Sequence, residues 1–297
     1  MKVSVIVPVY NAERFIRKCL DGLVAQDYPR EDLEIIIVDN GSEDRTPDII
    51  SEYKDIKLLF EREIQSSYAA RNRGLEYAKG DILAFTDADC VPEPSWVSEG
   101  ARCFDETGAD MIGGRVRFIY SKRQTAAELY DSFINMQNHQ CIPERGVAKT
   151  ANFFAKRSVF ETIGTFPSEV KSGGDLIFTG KATNAGLRLV YCHNAVVWHP
   201  SRRFLELARK LFRTGYGKAS IRVAKGEKVG PLRAFGGFLI QFFRPTNPTY
   251  FADRIRQEGI KAGWFKTARV SFVMYLAIII ARLGEFFGTL AYGKEDK

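Results

Sequence analysis

Within its first 90 residues the chain repeats one pattern four times: a short aliphatic run, a turn, and a segment with apolar residues at helical spacing. Residues 2–9 are the first run, and Asn11 stands where it would cap a helix carrying Phe15, Ile16, Cys19, Leu20, Leu23 and Val24. Residues 33–38 are the second, ended by Asp39-Asn40-Gly41-Ser42, with Thr46 and Pro47 opening the next helix. Residues 56–60 and 82–86 are the third and fourth, separated by a helix running from Ser66 and Ser67 through Tyr77. Parallel strands are joined only by crossovers, usually helical, and strands covered on both sides read as unbroken apolar runs. The pattern therefore demands an α/β fold: a Rossmann-like, mostly parallel sheet with helices on both faces.

Such sheets bind ligands at the carboxyl ends of their strands. Two of those ends carry acids here, Asp39 after the second run and the pair Asp87 and Asp89 after the fourth. Carboxylates in such a place cost folding energy unless a cation meets them. The Asp-x-Asp pair offers hard oxygen ligands, suited to Mg²⁺ or Mn²⁺ that keeps some water and also binds a substrate phosphate. Its plainer reading is a cap for a helix beginning near Pro92-Glu93-Pro94. No Gly-x-Gly-x-x-Gly follows the first run, which disfavours a dinucleotide oxidoreductase, and no Gly-x-x-x-x-Gly-Lys-Ser/Thr loop occurs.

At 297 residues and 45 % hydrophobic content, the chain is long enough for one large α/β domain plus an appendage. Its five cysteines are odd in number and scattered, which points to free thiols in a reducing compartment. Met1 leads straight into a strand without the pattern of a secretory signal, so the catalytic part is expected to face the cytoplasm. The net charge of +7 is concentrated between Ser201 and Arg233, where ten Lys and Arg face Glu206 and Glu227. Two apolar stretches follow, 234–243 and 270–281, each too short to cross a bilayer alone. Arg282 and Glu285 lie three apart and can pair on one helical face, which would lengthen the second stretch through Gly293. The favoured expectation is a pair of interfacial or re-entrant helices, with the basic segment on an anionic membrane surface. A full transmembrane helix ranks second and a soluble homodimer interface third. Nucleic acid is a poor fit, because it would leave the apolar stretches without a role.

Four motifs now stand in order: Val3-Ser4-Val5-Ile6-Val7-Pro8-Val9-Tyr10-Asn11, Ile37-Val38-Asp39-Asn40-Gly41-Ser42-Glu43-Asp44-Arg45-Thr46, Ala70-Arg71-Asn72-Arg73-Gly74 and Thr86-Asp87-Ala88-Asp89. In order and spacing they resemble the N-terminal motifs of the family 2 inverting glycosyltransferases of the GT-A fold. The resemblance implies a nucleotide-sugar donor, usually a UDP-sugar, and a divalent metal, Mn²⁺ or Mg²⁺. It places Asp39 on the base with Pro8 and Tyr10 lining the same pocket, Arg71 near the nucleotide, and Asp89, helped by Asp87, on the metal. The residue chemistry agrees, since a strand-end carboxylate accepts from a base N–H and Arg neutralises phosphate. For Arg71 the plainer reading is a surface ion pair.

Further along, Thr150-Ala151-Asn152-Phe153-Phe154 resembles the family's sugar-approaching segment, and Gly174-Asp175 stands where the family most often has Glu-Asp. The first acid is absent; Asp175 aligns with the second, which the resemblance makes the general base, and a plain helix cap is its other reading. His199, after the last strand, either supplies a nitrogen ligand to the metal or is a packed histidine; His193 is a weaker candidate, and His139 reads as a loop residue. Residues 124–138 read as one amphipathic helix. The expected organisation is a GT-A catalytic domain over 1–225, split into a nucleotide-binding half 1–105 and an acceptor half 106–225, then a membrane-associated helical segment 226–297. The expected function is an inverting transfer onto a saccharide or lipid-linked acceptor at the cytoplasmic face of a membrane. Two rivals are a metal-dependent nucleotidyltransferase, which lacks a basic Gly-rich loop here, and a catalytically silent relative, which Gly174 favours.

Overall fold

The computed structural model describes residues 1–170, 172–224, 235–237, 239–240, 251–257, 260 and 263–292. The chain forms two compact units: Met1–Ile119 with Met136–Glu169 and Gly174–Pro200, and Tyr120–Asn135 with Val170–Gly173 and Ser201–Lys297.

The first unit holds the sheet. Its strands are β1 Val3–Val9, β2 Leu33–Asp39, β3 Ile56–Phe60, β4 Ile82–Thr86, β5 Val91–Pro92, β6 Met111–Ile119, β7 Asn152–Lys156 and β8 Leu189–Pro200. They lie in the order β3-β2-β1-β4-β7-β6-β8-β5. The four apolar runs of the sequence become β1 to β4, parallel throughout with Val9 beside Asp39. The strand β7 runs antiparallel between β4 and β6, β8 is parallel to β6, and β5 closes the edge antiparallel to β8. The sheet is thus mixed but mostly parallel, as the sequence pattern requires.

Alternation along the strands sends side chains to two covered faces. Val3, Val5, Val7 and Val9 join Ile35 and Ile37 in a core shared with Ile16, Leu20 and Leu23 of α1 (Ile16–Val24), Ile49 and Ile50 of α2 (Thr46–Ser51) and Trp96 and Val97 of α4 (Trp96–Thr107). On the other face α3 (Ser67–Tyr77) lies over Ile6 and Val38. There Phe85 and Phe153 form an aromatic cluster with Phe166, Phe160 of α7 (Arg157–Ile163) and Phe178 of α8 (Gly174–Asn184).

Three local expectations change. Asn11 does not cap α1: it adopts φ 47, a conformation Asn tolerates, and its Oδ1 accepts from the Glu43 N–H at 2.8 Å, tying the β1 and β2 loops together. At α2 the capping acceptor is Asp44, whose Oδ1 takes the Thr46 N–H at 3.0 Å. Residues 124–138 are not one helix. A left-handed Met136 (φ 57) separates α5 (Ala126–Ile134) from α6 (Asn138–Arg145), and His139 lies on α6 rather than in a loop.

The second unit gathers α5, α9 (Phe204–Ala224), a short helix Ala252–Gln257 and the C-terminal helix Trp264–Tyr292. Leu129, Tyr130, Phe133, Leu207, Phe251, Ile255, Val270 and Met274 are its core. Helix α9 runs so close to the C-terminal helix that a Cβ at Gly215 would lie 2.0 Å from the Ala281 carbonyl oxygen. This intimacy explains why the division falls after Pro200 and not at 225: the basic helix belongs with the C-terminal segment. Arg282 pairs with Glu285 at 3.0 Å, as their spacing suggests, and Arg222 reaches the same carboxylate. Over Trp264–Ala291 the C-terminal helix is long and apolar enough to cross a membrane, with a mean hydropathy of 1.8 across an 18-residue window within it. Half of the stretch 234–243 lies outside the described residues.

Candidate active site

The site grows from the carboxyl ends of β2 and β4. Asp39 closes β2 and is 1 % exposed. Its Oδ1 accepts from the backbone N–H groups of Gly41 and Ser42 at 3.1 and 3.0 Å, the hydrogen bonds of a tight turn. Its Oδ2 is buried with no hydrogen-bond donor. Leaving such an acceptor unmet costs about 1–3 kcal/mol. Beside it opens a cavity of about 540 Å³ whose walls include Gly41, Ser42, Phe60, Glu61 and Arg62. The Asn40 amide fixes one wall by donating to the carbonyls of Glu61 and Ile64, both at 3.0 Å. Neither Pro8 nor Tyr10 is among the residues that line this cavity. Pro8 is buried within β1 beside Val38, on the same face as Ile6, and Tyr10 is 49 % exposed.

The two acids after β4 do different things. Asp87 Oδ1 accepts from Arg71 at 2.6 Å, and Arg71 is only 3 % exposed, so the plain surface ion pair is excluded. Burial pushes the Asp87 carboxyl above the usual carboxylate range; Arg71 opposes that most strongly, Asp89 and Asp175 add to it, and His199 opposes. Asp89 Oδ2 lies 3.3 Å from His199 Nε2, with the imidazole buried and the carboxylate partly exposed. Strand β8, paired with β5 at Val91 and Trp198, delivers His199, and the ring rests edge-on to Phe118 at 5.7 Å. His193 sits elsewhere, at the surface with Arg115 at 2.9 Å.

Among the described residues no three His, Cys, Asp or Glu side chains gather closely enough to hold an ion unaided. The pair Asp89 and His199 nevertheless fits a divalent metal. A carboxylate oxygen and an imidazole nitrogen stand side by side at a solvent-facing edge, and Mg²⁺ or Mn²⁺ commonly completes its shell with water and substrate phosphate.

Asp175 stands at the N-terminus of α8, whose place is set one turn later: Phe178 enters the aromatic cluster and Thr179 donates to the Asp175 carbonyl at 2.8 Å. Its Oδ1 accepts from the Leu176 N–H at 3.0 Å and faces the Tyr68 hydroxyl at 3.5 Å. Tyr68 lies one turn before Arg71 on α3, so a single helix serves both carboxylates. Tyr68 was not legible as a site residue, since it belongs to no motif. Asn72 has a role the motif does not reveal, exchanging hydrogen bonds with the backbone of Phe166 at 2.8 and 3.0 Å. Within the segment 150–154, Asn152 is a buried structural residue. It accepts from Trp96 Nε1 at 2.9 Å and donates to the carbonyls of Arg115 and Ala195.

Residues 4–164 match the family profile described as Glycosyl transferase family 2. Glycosyltransferase AglE of Haloferax volcanii is 40 % identical over 298 residues, covering 98 % of this chain and 95 % of its own length. The poly(ribitol-phosphate) beta-glucosyltransferase of Bacillus spizizenii is 25 % identical over 90 % of this chain, which spans 44 % of that longer protein. Among solved structures, the mannosyltransferase PcManGT of Pyrobaculum calidifontis, in complex with GDP-Man and Mn²⁺, superposes with a TM-score of 0.58 at 20 % identity, over 100 % of this chain and 76 % of that one. TarS 1–349 of S. aureus in complex with UDP-GlcNAc gives a TM-score of 0.53 at 19 % identity, over 99 % and 92 %. The profile match spans more than half of the chain and AglE matches nearly all of it, so the chain belongs to glycosyl transferase family 2.

Proposed function

We propose that the first unit moves a sugar from a nucleotide-sugar, a UDP-sugar in the first instance, to an acceptor hydroxyl with inversion at the anomeric carbon. The observation that carries this reading is the donorless, buried Oδ2 of Asp39 at the wall of a cavity large enough for a nucleoside. A pyrimidine or purine N–H supplies the missing donor. The structural relatives support the donor class, since one was solved with UDP-GlcNAc and another with GDP-Man and Mn²⁺.

Arg71, held by Asp87, presents positive charge towards the phosphates. Asp89 and His199 would hold the metal, which when bound neutralises charge developing on the departing nucleoside diphosphate. Both donors to Asp175 meet Oδ1, leaving Oδ2 to take the acceptor's proton as its oxygen attacks the anomeric carbon and the bond to the diphosphate breaks.

The second unit supports a membrane-proximal acceptor such as a lipid-linked saccharide, reached from the cytoplasmic face. Arg203, Arg209, Arg213 and Lys218 are exposed on or beside α9, while Arg202 and Lys210 are engaged by Asp131. Four exposed cations are worth about 4 kcal/mol on an anionic bilayer at roughly 1 kcal/mol each. Trp264, Phe265 and Phe272, exposed at 67, 77 and 59 %, supply the apolar contact of an interfacial helix.

The test is nucleotide release from a panel of UDP-, GDP- and dTDP-sugars with Mn²⁺, alongside calorimetric binding of the free nucleoside diphosphates. Metal-dependent release of one diphosphate would name the donor; neither release nor binding across the panel would overturn the reading. Asp39→Asn is expected to weaken the preferred diphosphate about tenfold or more, the cost of one charged hydrogen bond, and an unchanged Kd would remove Asp39 from the base. The full chain is expected to float with phosphatidylglycerol vesicles at low salt and to lose most of that binding in Arg209→Glu/Arg213→Glu. Equal flotation of the two proteins would defeat the membrane assignment.

A further inference from the structure

We propose that Tyr68 is a positioning residue for Asp175, and that Gly174 is glycine because Tyr68 occupies the space a side chain there would need. This rests on the transferase reading for its kinetic consequence, but its physical basis is independent of it. A Cβ built on Gly174 would lie 2.9 Å from Cε2 and Cζ of the Tyr68 ring and 3.0 Å from Cδ2. Cβ contacts below 3.0 Å are essentially never seen, and the ring cannot easily yield: Tyr68 is 7 % exposed and rests against Phe166 at 6.3 Å between ring centres. Position 174 and position 68 are therefore alternatives, and only one of them can carry bulk.

What the phenol gains from that space is its place at Asp175. Its hydroxyl lies 3.5 Å from Oδ1, long for a hydrogen bond but in the range found at catalytic groups before substrate tightens them. Burial, and then the charge of Asp175, push the phenol above its usual titration range, so it stays a donor at every working pH. The Leu176 N–H meets the same oxygen. With both donors on Oδ1 the carboxylate cannot swing about its χ2 axis, and Oδ2 stays aimed at the acceptor. The missing acid at position 174 is thus replaced by a neutral donor from a helix 107 residues earlier, and the departure does not signal a dead site.

Tyr68→Phe removes only the oxygen. It is expected to lower kcat about tenfold with the donor KM unchanged, as loss of one oriented hydrogen bond to a charged group implies; an unchanged kcat, or a loss confined to KM, would overturn the positioning role. Thermal unfolding of Tyr68→Phe, Asp175→Asn and the double variant reads the contact without any turnover. Non-additive shifts are expected, and strictly additive ones would overturn it. The steric half has its own test. Gly174→Glu is expected to lower the Tm sharply and Tyr68→Ala/Gly174→Glu to regain much of the loss, whereas equal Tm losses in both backgrounds would refute the exchange. Were wild type inactive with every donor, the transferase reading would fall while the unfolding cycle still decided the contact.

Discussion

Replacing Asp175 by Asn is expected to lower the rate of sugar transfer by about a thousandfold while leaving donor affinity within a factor of about two, from the 10²–10⁴ typical of general-base catalysis. Asn has the same shape, and its amide oxygen still accepts from the Leu176 N–H and the Tyr68 hydroxyl, so α8 and its anchors Phe178 and Thr179 remain in place. What is lost is the capacity to take a proton. Because the variant binds donor but cannot activate the attacking hydroxyl, the loss falls on kcat and not on KM. The assay works before the acceptor is known, since slow donor hydrolysis requires the same base to act on water. A loss below tenfold would mean that Asp175 only caps its helix.

The parts of this site that were legible in the sequence are those fixed within one strand–turn–helix repeat. Asp39, Asp87 and Asp89 follow apolar runs directly, so the strand-end rule and local spacing suffice to place them. Arg71 was legible as a motif residue, but its burial was not, because that depends on the carboxylate 16 residues later. Contacts across the sheet were beyond the pattern. His199 meets Asp89 because β5, starting two residues after Asp89, pairs with β8 at Val91 and Trp198, and Tyr68 meets Asp175 because α8 docks through Phe178. A polar residue misled where the backbone competed for it. Asn11 looks available for capping, yet its side chain is taken by the backbone of Glu43, bridging two loops. Pro8 lies on a covered face of β1, and the cavity beside Asp39 opens towards β3 and Phe60.

The two acids of the Asp-x-Asp pair give the second large effect, because the structure assigns them different partners and the proposal therefore predicts different losses. Asp89→Asn keeps the size of the side chain and its place beside His199, so the unliganded protein is expected to unfold near the wild-type temperature. Wild type with Mn²⁺ and nucleoside diphosphate at about 100 times Kd should gain about 2.7 kcal/mol, which at about 2–4 °C per kcal/mol is a Tm rise of roughly 5–10 °C. Asp89→Asn is expected to show little of that rise, and its metal-stimulated nucleotide release should fall at least a hundredfold. Asp87→Ala should behave in the opposite manner. It strands the Arg71 guanidinium, 3 % exposed, without its counter-charge, and breaking a buried pair from one side costs about 3 kcal/mol or more. Its unfolding temperature should drop with no ligand present. Differential scanning fluorimetry of the three proteins, each with and without Mn²⁺ and diphosphate, separates the cases. A full ligand-induced rise in Asp89→Asn would remove Asp89 from the metal, and an Asp87→Ala protein as stable as wild type would show that Arg71 does not depend on Asp87.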